Sequence, residues 1–286
     1  MSYLPEPSGW TFTDDRGHVV AALRRPARVV AYIQAGAALA DLGVPPIGVF
    51  GSAHDRADAP DPVKAGPLAE SGVTYYGAGE GLDLDAVLAD RPDLVVGVSH
   101  AAGQVYGIPV PATKYLEEQV PLAVLDVGQA HPLARVRGRF GELARALGAP
   151  DSPAADAELA AAERRLTDAA ATSAYRRVLA LSPADGRTVH LARPHTWPDL
   201  ADLTRLGLPL VEPPQAGGIN WSTTAWQEAA ALEPDLVLVD ARAHAAPLGD
   251  HLRHGIPAVP WNPEPAPSAR AHARFLDVVA RAVRGS

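Results

Sequence analysis

The sequence predicts an α/β protein of two Rossmann-like lobes joined by a long linking helix, with a ligand cleft between them. A duplicated pattern carries most of that prediction. Ala86 to Val98 and Ala229 to Asp240 both read as an Ala/Leu-rich helix, a proline that stops it, and a short apolar β-branched run opened by Asp-Leu-Val. The two prolines, Pro92 and Pro234, lie 142 positions apart in a chain of 286 residues, so each copy belongs to its own half. A second observation is the helical spacing of Leu, Ala and Arg from Pro132 to Leu147 and from Pro153 to about Leu179, without a strand signal. The expected domains are therefore an N-terminal lobe over 1–130, a linking helix over 131–150 and a C-terminal lobe over 151–286. Such a connector restricts lobe motion to small amplitudes.

The elements follow in order. Trp10 to Thr13 and His18 to Leu23 flank the turn residues Asp14-Asp15-Arg16-Gly17, which predicts a hairpin packed on the edge of the first lobe. Arg28 to Tyr32 is the first buried strand, and the small-residue helix after it ends at Gly43. Strands follow at Pro46 to Gly51, Val73 to Tyr76, Leu94 to Ser99 and Leu122 to Val127, with helices from Leu84 and from Thr113 to Val120. The second lobe repeats the order with strands Thr188 to Ala192, Leu208 to Val211, Leu236 to Asp240 and Pro257 to Pro260. Its helices are Leu200 to Leu206, one starting at Ser222, and an amphipathic Ser268 to Val283.

Composition excludes several classes. A net charge of -8 with both signs interspersed leaves no basic stripe for nucleic acid. No apolar run reaches the roughly 18 to 20 residues of a membrane span. With no cysteine, disulfides, thiolate metal sites and cysteine nucleophiles are absent. Met1 to Gly9 carries neither a signal peptide nor a lipobox cysteine, so the sequence as written is expected in the cytoplasm, or outside it, associated with the membrane, if an export signal was removed.

The Trp10 to Leu23 hairpin running through Arg25-Pro26-Ala27-Arg28-Val29-Val30 begins a longer likeness. It continues in Leu42-Gly43-Val44-Pro45-Pro46-Ile47-Gly48-Val49 and in Asp83-Leu84-Asp85 leading into Pro92-Asp93-Leu94-Val95. Over about Trp10 to Arg281 the chain resembles the helical-backbone (class III) substrate-binding proteins of ABC importers, which take ferric siderophores, haem or cobalamin. The resemblance implies a monomeric binding protein that captures a ferric siderophore or similar bulky metal chelate and hands it to an ABC permease. Iron then enters only as part of the bound chelate, with no intrinsic cofactor. The alternative is a cytoplasmic enzyme or sequestering protein on the same fold, with Ser99, His100, His195 or Asp240 as chemical groups.

Residues after predicted strands nominate the binding surface, because loops at the carboxyl ends of parallel strands collect ligands. They are Gln34, Tyr76, His100 and Tyr106 in the first lobe, and Arg193, His195, Trp197, Trp221, Arg242 and Trp261 in the second. Aromatic rings with arginines suit a flat anionic chelate, the rings covering apolar faces and the guanidinium groups donating to oxygens. Trp10 and Trp226 read as packing residues. Tyr75 and Tyr76 point to opposite strand faces, so at most one reaches a cleft. His251 and His254, three apart on an expected helix, lack an acidic partner for a metal site. Gly97-Val98-Ser99-His100-Ala101 has the form of a nucleophile elbow, but Gly103, Gly107 and Pro109 follow where a helix is required. Gly77-Ala78-Gly79-Glu80-Gly81 reads as a loop before the Leu84 helix, and Gly217-Gly218 as a loop capped by Ser222.

Overall fold

The computed structural model describes residues 9–100, 103–128, 131–214, 217–253 and 255–284. They form two compact units: one from the described residues of 1–128, 134–152 and 266–268, the other from those of 129–133, 153–265 and 269–286.

The first unit opens with a hairpin of β1 (Trp10–Thr13) and β2 (Val19–Ala22), followed by β3 (Val29–Tyr32), α1 (Ile33–Asp41), β4 (Gly48–Gly51) and α2 (Pro62–Ala65). Then come β5 (Thr74–Ala78), α3 (Leu84–Ala89), β6 (Leu94–Ser99), α4 (Val110–Gln119), β7 (Leu122–Asp126) and α5 (Leu133–Ala146). The five later strands form one parallel sheet in the order β5-β4-β3-β6-β7. Every residue of β3, β4 and β6 is buried, as expected of strands covered on both faces. The hairpin docks on the edge strand as its turn chemistry dictates: Asp15 N donates to Val124 O, and the Val124 and Asp126 amides donate to the Asp14 and Asp15 carboxylates. The helix assigned to the link, α5, packs into this unit through Val136, Phe140 and Leu143. Its last turn accepts the Trp10 Nε1 proton at Ala146 O (2.9 Å), and Arg139 pairs with Asp15 while stacking 5.1 Å from the Phe12 ring centroid.

The second unit contains α6 (Pro153–Thr172), β8 (Val178–Pro183), β9 (Thr188–Ala192), α7 (Pro198–Arg205), β10 (Trp221–Ala225) and α8 (Trp226–Ala231). It ends with β11 (Leu236–Asp240), β12 (Ala258–Trp261) and α9 (Ala269–Arg284). The sheet order is β10-β9-β8-β11-β12, with β8, β11 and β12 parallel but β9 antiparallel to both neighbours. The four residues joining β8 to β9 are too few for a crossover. Asp185 closes that turn by accepting from the Arg187 and Thr188 amides.

Three local expectations are corrected here. Ser222 sits inside β10 and does not cap a helix, because the β-branched Thr223 and Thr224 extend beside β9 and α8 starts only at Trp226. Leu208 to Val211 contributes one isolated bridge, Leu210 beside Val178, since β9 already fills the rest of that β8 edge. His251 lies in irregular chain after a turn and stacks on Trp226 (4.5 Å, 16°), while His254 lies outside the described residues. Among the described residues no helix is long and apolar enough to cross a membrane.

The duplicated Pro-Asp explains itself in this frame. Arg91 and Glu233, each before its proline, take positive φ (47°) to close α3 and α8. Asp93 Oδ2 then accepts from the Ala27 and Arg28 amides (3.0 and 3.1 Å), and Asp235 Oδ2 from the Arg176 and Arg177 amides (2.9 and 3.1 Å). Arg28 and Arg177 in turn donate to carbonyls at the ends of α3 and α8. Replacing Asp93 or Asp235 with Ala should lower unfolding stability by about 1–3 kcal/mol at either site, through loss of charge-assisted bonds to two amides. Chemical denaturation measures it, and a change under about 0.5 kcal/mol at both sites contradicts the assignment.

Candidate functional site

In the first unit the strand order reverses between β3 and β6, which makes the carboxyl edge of that sheet the place for a crevice. A cavity of about 390 Å³ lies there. Its walls come from the loops leaving β4 (Ser52, Ala53, His54), β5 (Gly79, Glu80) and β6 (His100 and 104–109). Val105, Ile108 and Pro109 supply apolar surface, and Ser52, His54, Glu80, His100 and Gln104 supply polar groups. Tyr106 is fixed by its amide N–H, which donates a hydrogen bond to Val98 O (2.8 Å), and its ring meets His100 edge-on at 4.6 Å and Tyr32 at 5.5 Å. Sequence reasoning nominated His100 and Tyr106. It missed His54, Glu80 and Gln104, although His54 and Glu80 lie only three and four residues past predicted strands.

The loop after β4 is held from below by a buried ion pair. Asp61 caps α2 by accepting from the Val63 and Lys64 amides, and Pro62 in the first helical turn pre-sets its backbone. That turn aims Lys64 at Asp55, both side chains being 0% exposed. Asp55 Oδ2 accepts hydrogen bonds from Nζ (3.0 Å) and from the Ser52 amide and hydroxyl, and its Oδ1 lies 2.8 Å from Nζ. Glycine is required where the loops touch. A Cβ on Gly79 (φ +55°) would lie 2.9 Å from Ala53 Cα, and one on Gly107 (φ +82°) 2.9 Å from Gly51 O.

Two other first-unit nominees sit elsewhere. Gln34 is buried in the first turn of α1. Tyr76 donates to Asp90 Oδ2 (2.7 Å) and does not line the cavity, while Tyr75 donates to Arg56 O on the loop after β4. Burial raises both phenols well above their ordinary range, Asp90 adding to it for Tyr76 and the Asp55 charge for Tyr75.

In the second unit Trp197, Trp221 and Trp261 form one cluster, with centroids 5.0 to 5.9 Å apart. Trp197 and Trp261 are buried, and their indole protons go to Asn220 O and Asp199 Oδ2. Trp221 is the half-buried member. The expectation that Arg193 and Arg242 emerge together is corrected by strand direction. Arg193 leaves β9 toward the end where β8 and β11 begin, whereas Arg242 follows β11 where the parallel strands finish. Arg193 donates to the carbonyls of Pro213, Pro214 and Gly218, with Glu212 at 3.8 Å. Arg242 chelates Asp240 and reaches Glu264 at 2.7 Å. Burial alone would lower its pKa, but those two carboxylates outweigh it and raise the value. Exposed His195 pairs with Glu212 (3.0 Å).

Asp199 is pushed up to about 6 by burial, which the Trp261 bond and the His272 charge only partly oppose. Burial also acts to raise Asp202, but its bonds to His272 and Arg205 prevail and hold it near about 2. Among the described residues no cluster of three His, Cys, Asp or Glu is arranged to hold a metal. Ser99 is buried inside β6, and the next helix, α4, begins only at Val110, so the elbow geometry is missing.

No family model and no curated protein matches the chain. Solved structures do. One is DesE, a ferric-siderophore receptor protein from Streptomyces coelicolor, 27% identical, with a TM-score of 0.84 over 96% of this chain and 98% of that one. The chain has the fold of the binding proteins of ABC iron uptake. A siderophore periplasmic binding protein from the fuscachelin gene cluster of Thermobifida fusca matches at 19% identity, TM-score 0.61, over 91% and 97% of the two chains. The periplasmic haem-binding protein RhuT from Roseiflexus sp. RS-1 matches at 18% and 0.61, over 90% and 98%.

Two expectations follow. Between about pH 4 and 6 the folded chain keeps the Asp199 proton that the unfolded chain has released, so this group's contribution to stability falls as pH rises through that window, by on the order of 2–3 kcal/mol. Asp199→Asn keeps an acceptor for Trp261 and should remove that slope from melting temperatures measured at pH 4 to 8. A slope unchanged by the substitution contradicts it. Gly107→Ala should cost about 1–3 kcal/mol and displace the 104–109 wall, seen as loss of ligand affinity beside a lowered melting temperature.

Proposed function

We propose that this protein captures a ferric siderophore or similar bulky iron chelate for ABC-type import, making and breaking no bond. The observation that carries the reading is the end-to-end likeness to a ferric-siderophore receptor at 27% identity. The crevice at the carboxyl edge of the first unit's sheet agrees with it, because an apolar wall beside convergent polar groups is what a compact chelate needs. Tyr106 is the anchor in this reading: its ring is oriented by His100 and Tyr32, so little side-chain entropy is lost on binding. We infer that the protein works as a monomer outside the cytoplasmic membrane and passes its cargo to a permease, iron being substrate and not cofactor.

Catalysis has weaker support. Ser99 is buried, and Asp240 is engaged by Ser182 and Arg242. Calorimetric titration of the full chain with a panel of ferric hydroxamates, ferric catecholates, haem and cobalamin tests the proposal. The expected result is sub-micromolar affinity for at least one iron chelate, recovered chemically unchanged. Tyr106→Ala should weaken it by roughly tenfold and also cost about 1–3 kcal/mol of stability, because the ring packs on Tyr32 and His100 as well. Failure of every iron chelate to bind, or conversion of one to product, overturns the reading.

A further inference from the structure

The charge of the ligand can be read from how the cations near these residues are used. No lysine or arginine lines the first unit's cavity, and with histidine counted as neutral its one formally charged lining residue is Glu80. Three cations on the neighbouring loops and hairpin are paired, two of them at least partly withdrawn from solvent and Arg56 at the surface. Lys64 is held by Asp55 at 2.8 Å, and Arg56, on the same loop, by Asp58 at 2.8 Å. Arg16, whose side chain reaches Gly103, pairs with Asp14 at 2.8 Å and Glu117 at 2.6 Å.

The second unit, taken by itself, repeats the pattern at the two arginines the sequence nominated. Arg242 meets two carboxylates, Asp240 and Glu264, each at 2.7 Å, and Arg193 has Glu212 beside the carbonyls it donates to. The residues outside the described set include no lysine or arginine, so none of them adds a cation.

This distribution disfavours a polyanion. Three singly charged hydroxamates neutralise a ferric ion, whereas three doubly charged catecholates leave the complex triply negative. Desolvating that complex against Glu80, with no cation in the wall, leaves its charge without a partner. A neutral complex meets no such opposition, and one bearing an ammonium group gains from Glu80. We propose that the site selects an electroneutral or cationic iron chelate of the hydroxamate kind over a polyanionic catecholate, a specificity that rests on the function proposed above.

The test is calorimetric titration of the full chain at pH 8, where histidine is ordinarily neutral. The probes are a linear ferric tris-hydroxamate carrying a free ammonium group, a cyclic neutral one, and a ferric tris-catecholate. Both hydroxamates should bind at least about tenfold more tightly than the catecholate. Glu80→Gln should weaken the ammonium-bearing complex by roughly three- to tenfold and the neutral one much less. Glu80→Arg should narrow the gap to the catecholate by roughly tenfold or more, and this gain should shrink as salt is raised. A catecholate bound as tightly as the hydroxamates by the unmodified protein, or a ratio unmoved by Glu80→Arg, overturns the selectivity while leaving chelate capture standing. Binding of none of the three removes both.

Discussion

Two aspartates, Asp93 and Asp235, hold the joint on which each unit is built. In a parallel sheet the first strand enters beside the strand that follows the crossover helix, and the amides at that entry have no ladder partner of their own. Asp93 supplies one carboxylate oxygen to the amides of Ala27 and Arg28, and Asp235 does the same for Arg176 and Arg177. Each aspartate's own amide donates back, to Arg28 O or Arg177 O. The entry is thus closed in both directions, and the register of β3 against β6 and of β8 against β11 follows from it. Once those central pairs are in register, the loops at their carboxyl ends emerge at a fixed level. In the first unit this brings His100 and the 104–109 wall beside the Ser52–His54 loop.

The same joint supports two different sheets. The five-stranded sheet of the first unit stays parallel throughout, so all its strand ends gather on one edge. In the second, four residues after β8 turn the chain back at once, and β9 and β10 form an antiparallel ribbon on the parallel core. An arginine after β9 and an arginine after β11 then leave in opposite directions. Each takes carboxylate partners near its own exit, which is why neither presents the open guanidinium fork that their residue type suggests.

Much of this was legible in the chain. The repeat could be read because a proline that ends a helix and a β-branched run that must be buried are strong local signals, and the hairpin because Asp14 and Gly17 leave few alternatives. The turn between β8 and β9 is just as visible in Asp185-Gly186, but the helical spacing that runs on to about Leu179 hides β8, the strand that enters it. The site was less legible. His100 and Tyr106 followed from the rule of strand ends, but the same rule applied to β9 misplaced Arg193. Aromatic residues mislead for another reason: a tryptophan on a predicted loop says nothing of whether its ring turns outward, and Trp197 and Trp261 turn inward, each with its indole proton already accepted.

The buried Lys64–Asp55 pair shows what these matched charges accomplish. Removing both charges from water is unfavourable, and their attraction repays it only with good geometry and further hydrogen bonds. Here those bonds come from the Ser52 amide and hydroxyl, which belong to the cavity wall. The pair therefore contributes shape more than stability. It fixes the Ser52–His54 loop from beneath, Gly79 and Gly107 let the neighbouring loops close on it without a Cβ in the way, and the wall stands ready before any ligand arrives. A wall set in advance reduces the ordering that binding must impose. Because its cation is neutralised below the surface, the cavity inherits that rigidity without inheriting a positive charge, and Glu80 is left to set the sign of the field a ligand meets.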